Sequence, residues 1–451
     1  MSGTRTVTER RGILDRLLSP FTVVNTGEGA DAVLLTLAVF LLLTAYYVLK
    51  VVREPLILAG GGAELKSYTS AAQAVLLLFL IPAYSAIANR VNRIRLISIS
   101  TLFFLSNLIV FYVLAVAGAP GLGVAFFVWV GIFNLMIIAQ FWSFANDVYT
   151  PEQGKRLFAI LGFGQTLGAT LGSLVSKALI GPLGVYQLML VAAGLLAGYL
   201  GLIWTVNRRS RRATPSAAAP AAQPMVDRRG GFAMIARDRY LLLIGLLLLL
   251  LNFVNTNGEY ILGRVVSGEA ARRVADGVTN GLAPDAFVRQ FIGSFYAEYF
   301  TWVNVLTAVI QIFLVSRILR RFGVRAALFV LPVVALGAYG ILAFIPSLAL
   351  IRVAKIGENS LDYSLNNTTR QALFLPTSRE AKYKAKAAID TIFVRAGDLL
   401  SAGLVFAGTL LALQPRHFAL INMALVGVWL LIVAGIGRRH RLLTGVTDAQ
   451  V

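Results

Sequence analysis

Cysteine is absent from all 451 residues, so the chain can form no disulfide, no thiolate metal site and no cysteine nucleophile. Histidine is nearly absent too: only His417 and His440 occur, both near the C-terminus, which removes zinc catalysis from consideration. No GxxxxGK[ST] phosphate loop exists, because Gly154-Lys155 is followed by Arg156 and lacks the upstream glycine, so ATP hydrolysis by this chain is not expected. Nor can a nucleophile, a base and an oxyanion donor be assembled, so neither an enzyme nor a bound cofactor is expected. Charge is scarce, at 14% of residues against 57% hydrophobic, and the mean hydropathy is +0.75. A water-soluble core of this size could not hide so much apolar surface, and the solvent must be lipid.

What is present fits that solvent. A crossing needs roughly 20 apolar residues, and such segments start near 31, 67, 94, 122, 157, 184, 240, 291, 324, 347, 386 and 417, with the tenth (Ser347 to Asn367) the least apolar. The fold class expected is an all-α membrane protein of about twelve transmembrane helices in two six-helix bundles. Basic residues mark cytoplasmic loops. With the N-terminus inside, 29 of the 41 Lys and Arg fall in cytoplasmic loops and tails, and 7 fall outside, namely Arg53, Lys66, Arg264, Arg272, Arg273, Arg289 and Arg416. The net charge of +20 is then topological, and nucleic acid is not an expected partner.

The expected layout is a cytoplasmic tail over 1–30, a bundle over 31–206, a cytoplasmic linker over 207–239, a second bundle over 240–437 and a cytoplasmic tail over 438–451. The first tail carries Arg5, Arg10, Arg11 and Arg16 without a cleavage site, so it does not read as a cleaved signal peptide. The linker contains RRSRR, ATPSAAAPAAQP and DRRGG and has no apolar periodicity, as a flexible segment should. Two bundles hinged about a midplane site is the layout of alternating-access carriers. The setting expected is a bacterial inner membrane, with the chain a monomer in membrane lipid.

Five basic residues remain within spans: Lys50, Lys177, Arg352, Lys355 and Arg395. A charge at mid-membrane costs at least ~2.5 kcal/mol on insertion scales, so each must face a polar pathway or a partner. Intramembrane or rim acids are Glu54, Glu259, Glu298, Glu358, Asp362, Asp390 and Asp398. In the tenth span Arg352, Lys355, Asn359, Asp362 and Asn366 recur at helical spacing on one face. That face either lines a pathway or builds an internal salt-bridge ladder, Lys355 and Glu358 being three apart. Asp390, Arg395 and Asp398 admit the same two readings, with Arg395 and Asp398 also neighbours at i, i+3. Lys50, Arg53 and Glu54 lie within about one turn; the cations suit an anionic solute or snorkel to headgroups, and Lys50 can pair with Glu54 at i, i+4. Glu298, amid Tyr296, Tyr299, Trp302 and Asn304, could carry a coupling proton or neutralise a cation from another helix. GFGQTLGATLGS sets Gly164, Gly168 and Gly172 four apart, which favours close helix approach over chemistry.

The strings YVLKVVREPLILAGGGAELKSY at 47–68, FWSFAND at 141–147, KRLFAILGFG at 155–164 and KAKAAID at 384–390, with YSL at 363–365 followed by Pro376, run in order along nearly the whole chain. They resemble the nucleotide transporters of plastids and obligate intracellular bacteria, the ATP/ADP antiporter family, related in fold to the major facilitator superfamily. The resemblance implies twelve helices and, in the best-known members, exchange of ATP for ADP plus phosphate. Arg53 stands where nucleotide-exchanging members have a lysine, which keeps the charge. Elsewhere the pattern departs: the acid ahead of FWSFAND falls at Val130, the Glu of span seven at Asn255, a following Lys at Glu259, and the lysines of the YSL and KAKAAID regions at Asp362 and Asp398. Lysines replaced by acids weaken the positive field that phosphates need.

The expectation is therefore a secondary transporter for nucleotides or a related organic anion. Arg53, Arg352, Lys355, Lys50, Arg395 and Asn255 are the candidate solute contacts, and Glu298, Glu358, Asp362, Asp390, Asp398 and Glu259 the candidate coupling or gating groups. The alternatives are a proton-coupled carrier of another organic solute and a lipid-handling or scaffold protein on a transporter fold.

Overall fold

The structure, a computed structural model, describes residues 14–15, 24–25, 28–88, 91–213, 229–345, 347–378 and 380–444. The arginines of the N-terminal tail, the Ala/Pro-rich part of the linker and the last seven residues lie outside the described residues. What is described is helical, without a β-strand among the described residues. Lipid offers no hydrogen bonds to a backbone, and a helix satisfies its own. Large apolar side chains such as Phe103, Val113, Phe313 and Phe344 stay exposed along these helices, on surface that lipid rather than water can cover. The chain is a multi-pass membrane protein.

In chain order the helices are α1 (Gly29–Ala88), α2 (Arg93–Val116), α3 (Leu122–Val148), α4 (Pro151–Leu183), α5 (Leu188–Ala213), the short α6 (Arg229–Arg237), α7 (Arg239–Ala275), α8 (Pro284–Val309) and α9 (Ser316–Phe344). They continue as α10 (Leu348–Leu361), α11 (Asn367–Leu373), α12 (Lys386–Ala388), α13 (Val394–Leu410) and α14 (Pro415–Thr444). Wider π-helical turns join α8 to α9, α10 to α11, and α12 to α13. Among the described residues nine helical stretches are long and apolar enough to cross a membrane. Two of them, Gly29–Tyr84 and Pro284–Phe344, run 56 and 61 residues, well beyond the roughly 20 that one crossing needs. Each is broken once, at Gly62 (φ 75°) and at Gly323 (φ 73°), where the left-handed backbone requires glycine. The segment from α10 to α11 is too polar to count among the nine, because it carries the charged residues that matter below.

The chain divides into two compact units. The first takes residues 1–52, 87–119 and 130–222. Here Gly164, Gly168 and Gly172 of α4 bring that helix onto the backbone of α1. A Cβ on Gly168 would lie 2.3 Å from the Phe40 carbonyl oxygen, and one on Gly172 2.4 Å from that of Thr44. Gly168→Val is therefore expected to cost about 1–3 kcal/mol. It should read as a lowered melting temperature in detergent, while Gly162→Ala, at a position open to 4 Å, should show no loss.

Thr150 and Gln153 form a reciprocal capping box around Pro151 and so start α4. That start is tied to α1 through Glu28, which accepts from both arms of Arg156 at 3.0 Å and from Gln153 at 3.1 Å. Burial alone would raise the Glu28 carboxyl, but these donors and the Asn25 amide hold it at about 2 rather than its ordinary 4.5. A depressed carboxylate contributes stability above its unfolded value and loses it as pH falls toward the folded one. Glu28→Gln should melt below the parent at neutral pH, and the gap should narrow below about pH 4.5, read from paired melting curves.

The second unit takes residues 53–86, 120–129 and 223–451. Asp238 caps α7, its carboxylate accepting from the Tyr240 amide at 2.7 Å. Within this unit α7 packs against α8, α10, α13 and α14.

Candidate functional site

The polar groups that the second unit buries gather around α7. Asn252, Asn255, Thr256 and Glu259 recur there at three- and four-residue spacing, so they share one face. Gly258 keeps that face open, since a Cβ on it would lie 2.2 Å from the Tyr339 hydroxyl and 2.9 Å from the Lys355 ammonium.

Lys355 of α10 is 1% exposed. Its ammonium donates to Asn255 Oδ1 at 2.9 Å and to Glu358 Oε2 at 3.1 Å. Glu358 in turn accepts from the Tyr339 hydroxyl of α9 at 3.1 Å. Glu259 reaches Lys355 at 3.8 Å through one oxygen and Lys66 at 3.9 Å through the other. The first of those oxygens also accepts from the Tyr299 hydroxyl at 3.2 Å and from Asn359 Nδ2 at 3.1 Å. Lys66, one turn past the break at Gly62, pairs with Glu54 at 2.6 Å and sits over the Tyr296 ring at 5.2 Å. Glu54, 1% exposed, is the acceptor for Arg53 Nε at 3.0 Å, and that guanidinium lies 4.5 Å from the Phe127 ring centre.

Signs therefore alternate along one line: Arg53, Glu54, Lys66, Glu259, Lys355, Glu358. Three cations and three carboxylates cancel. Each buried charge would cost several kcal/mol alone, and each has an opposite neighbour.

Smaller clusters stand beside this ladder. Asp398 of α13 accepts from Asn252 at 2.7 Å, Thr256 at 2.9 Å and Arg395 at 3.2 Å. Arg352 and Glu298 pair at 3.6 Å, both about one third exposed. Glu64 accepts from the Tyr260 hydroxyl at 2.9 Å and has Arg264 at 3.7 Å.

Of the residues expected from sequence, Arg53, Asn255, Glu259, Lys355 and Glu358 thus meet in one network, and Arg395 meets Asp398. Arg352 pairs with Glu298, across α8 and α10. Asp362 accepts from Asn366, four residues on, at 2.7 Å within the π turn. Asp390 is exposed, within electrostatic reach of Lys386 and Arg370. Lys50 lies 5.2 Å over the Tyr47 ring, while the carboxylate of Glu54 is taken by Arg53 and Lys66.

Lys66 escaped the sequence reading. Counted there with the outer-loop charges, its side chain is only 10% exposed and carries two of the ladder's links. The signal was the GGG run just before it, which marks a break with a charge one turn on. Tyr339, in an apolar stretch, gave no signal.

Residues 288–440, which carry Tyr296, Tyr299, Tyr339, Lys355, Glu358 and Asp398, match the model of the TLC ATP/ADP transporter family. ADP,ATP carrier protein 1 of Chlamydia pneumoniae is 24% identical over 342 residues, which is 66% of this chain and 63% of that protein. The carrier of the same name from Rickettsia bellii is 23% identical, over 70% of this chain and 68% of its own length. The chain thus spans somewhat less than two thirds of the first of these relatives. Among solved structures, nucleoside transporter NupG superposes with a TM-score of 0.63 at 11% identity, covering 92% of this chain and 100% of that one. A bacterial homolog of the human lysosomal transporter Spinster gives 0.59 at 15% identity, covering 92% and 98%. These likenesses concern the fold. Read with the family match over residues 288–440, they agree with the resemblance carried by the sequence strings: this stretch is similar to the ATP/ADP transporters, and the fold is shared with the solved transporters.

Proposed function

We propose that the chain is a secondary transporter that moves nucleotides of the ATP/ADP type, or a closely related organic anion, by alternating access. The observation that carries this reading is the buried ladder of the second unit. A lysine or arginine already held by carboxylates can exchange one of them for a cargo phosphate without ever facing lipid. The sequence relatives, named for ADP and ATP, supply the cargo class.

In this reading Arg53 and Lys355 contact the anion, with Asn255 orienting Lys355. Lys50, Arg352 and Arg395 add positive potential along the route. Glu259, Glu358, Glu298, Asp362, Asp390 and Asp398 serve coupling or gating. The long helical stretches at Gly62 and Gly323 each provide two crossings, which with the α10–α11 segment makes twelve. Two six-helix halves, over 31–206 and 240–437, carry the alternation, in an inner membrane, as a monomer with both termini cytoplasmic. No hydrolytic step is involved.

The test is a thermal-shift screen of the detergent-purified protein against nucleotides, sugar phosphates and amino acids. Stabilisation by ADP or ATP, saturating with concentration, is expected. Stabilisation by amino acids or neutral sugars alone would overturn the cargo class.

A further inference from the structure

Glu259 stands apart from the other acids of the ladder. Glu54 and Glu358 each hold a lysine tightly, at 2.6 and 3.1 Å, whereas Glu259 lies almost 4 Å from both Lys66 and Lys355. It is also the most exposed of the three carboxylates, at 24% against 1% and 5%. The groups converging on it are two ammonium ions, a phenol hydroxyl and a carboxamide N–H, which together form a donor set suited to a phosphate group.

Two further polar atoms flank this cradle without a hydrogen-bond partner. They are the hydroxyl of Tyr296, fully buried and within electrostatic reach of both Glu54 and Glu259, and the side-chain oxygen of Asn359, on a residue 4% exposed. Buried polar atoms are rarely left so. The Asn359 oxygen is an acceptor awaiting a donor, and the Tyr296 hydroxyl can either give or take.

We infer that the cradle formed by Lys66, Lys355, Tyr299 and Asn359 is the binding site for a phosphate group of the cargo, and that the Glu259 carboxylate is a tethered stand-in which that phosphate displaces. The inference rests on the anion-carrier reading above and adds to it the site and the competitor. Lys66 and Lys355 keep Glu54 and Glu358 as partners when Glu259 swings out, so the cradle survives the exchange. Tyr296 and Asn359 then become contacts for the hydroxyl or amino groups of the cargo.

The consequence runs against the usual effect of neutralising a site acid. Glu259→Gln removes the competitor and should tighten binding of ADP and of inorganic phosphate by about tenfold, the size of one charge interaction at this range. Lys66→Met and Lys355→Met should lose both ligands. Titration of each variant with labelled ADP and with phosphate alone, at a temperature where each is folded, decides the matter; Glu259→Ala repeats the test should Glu259→Gln fold poorly, and Lys355→Met carried with Glu358→Gln replaces the single lysine variant should that one unfold. If the parent binds ADP and both Glu259 variants bind it equally or more weakly, the stand-in role is overturned and the carrier reading stands. If phosphate binds Glu259→Gln but ADP binds neither protein, the cradle stands and the nucleotide reading falls. If no variant binds either ligand, both fall.

Discussion

Lys355→Met is expected to lower stability by about 3–5 kcal/mol and to abolish transport. The magnitude follows from burial: at 1% exposure the ammonium is the counter-charge for Glu358 and Glu259, and deleting one partner of a buried pair strands the other. Removing the stranded charge as well separates the structural from the functional contribution. In Lys355→Met with Glu358→Gln, the neutral carboxamide can keep the Tyr339 hydroxyl bond, and much of the lost stability should return. Transport should not, because the cation that meets the cargo is still missing. Chemical or thermal unfolding of the single and double variants checks the first half, and flux in proteoliposomes the second. Stability unchanged in the single variant would refute the buried pair.

A comparable loss, about 3 kcal/mol or more, is expected for Glu54→Ala. That carboxylate, 1% exposed, holds Arg53 on one side and Lys66 on the other, so its removal leaves two cations in a poorly hydrated place with one acid, Glu259, nearly 4 Å from Lys66. Glu64, ten residues on, provides the contrast. It pairs with Arg264 at 3.7 Å, and both side chains are about one third exposed. An exposed pair is worth only about 0–1 kcal/mol, so Glu64→Gln should melt within a few degrees of the parent. Equal losses for the two variants would mean that the ladder is not the electrostatic core of the second unit.

The helices were legible because a lipid-facing helix writes its length directly into the chain as an apolar run, and each expected start lies in helical chain or a few residues ahead of it. Pairs within one helix were legible for the same geometric reason: Lys355 with Glu358 and Arg395 with Asp398 stand three apart, and the fold makes both contacts. The glycines of α4 likewise announced a close approach, although not that α1 would be the partner. The long-range links were hidden. Nothing near Lys66 in sequence points to Glu259, so the residue looked like one more loop charge. Only the turn at Gly62 brings it inside. The π turn at Asp362–Asn366 has no signature in the spacing, although Asp362 and Asn366, four apart, still meet across it. The sequence suggested a mixed rather than a cationic polar region, and the alternating ladder is the physical form that this mixture takes.

Exchange by the purified protein in proteoliposomes tests the central claim most directly. Vesicles loaded with ATP should take up labelled ADP with saturation, and Lys355→Met carried with Glu358→Gln should abolish that uptake while remaining folded. A parent protein that moves neither ATP, ADP nor phosphate, or a folded double variant that exchanges as fast as the parent, would contradict it.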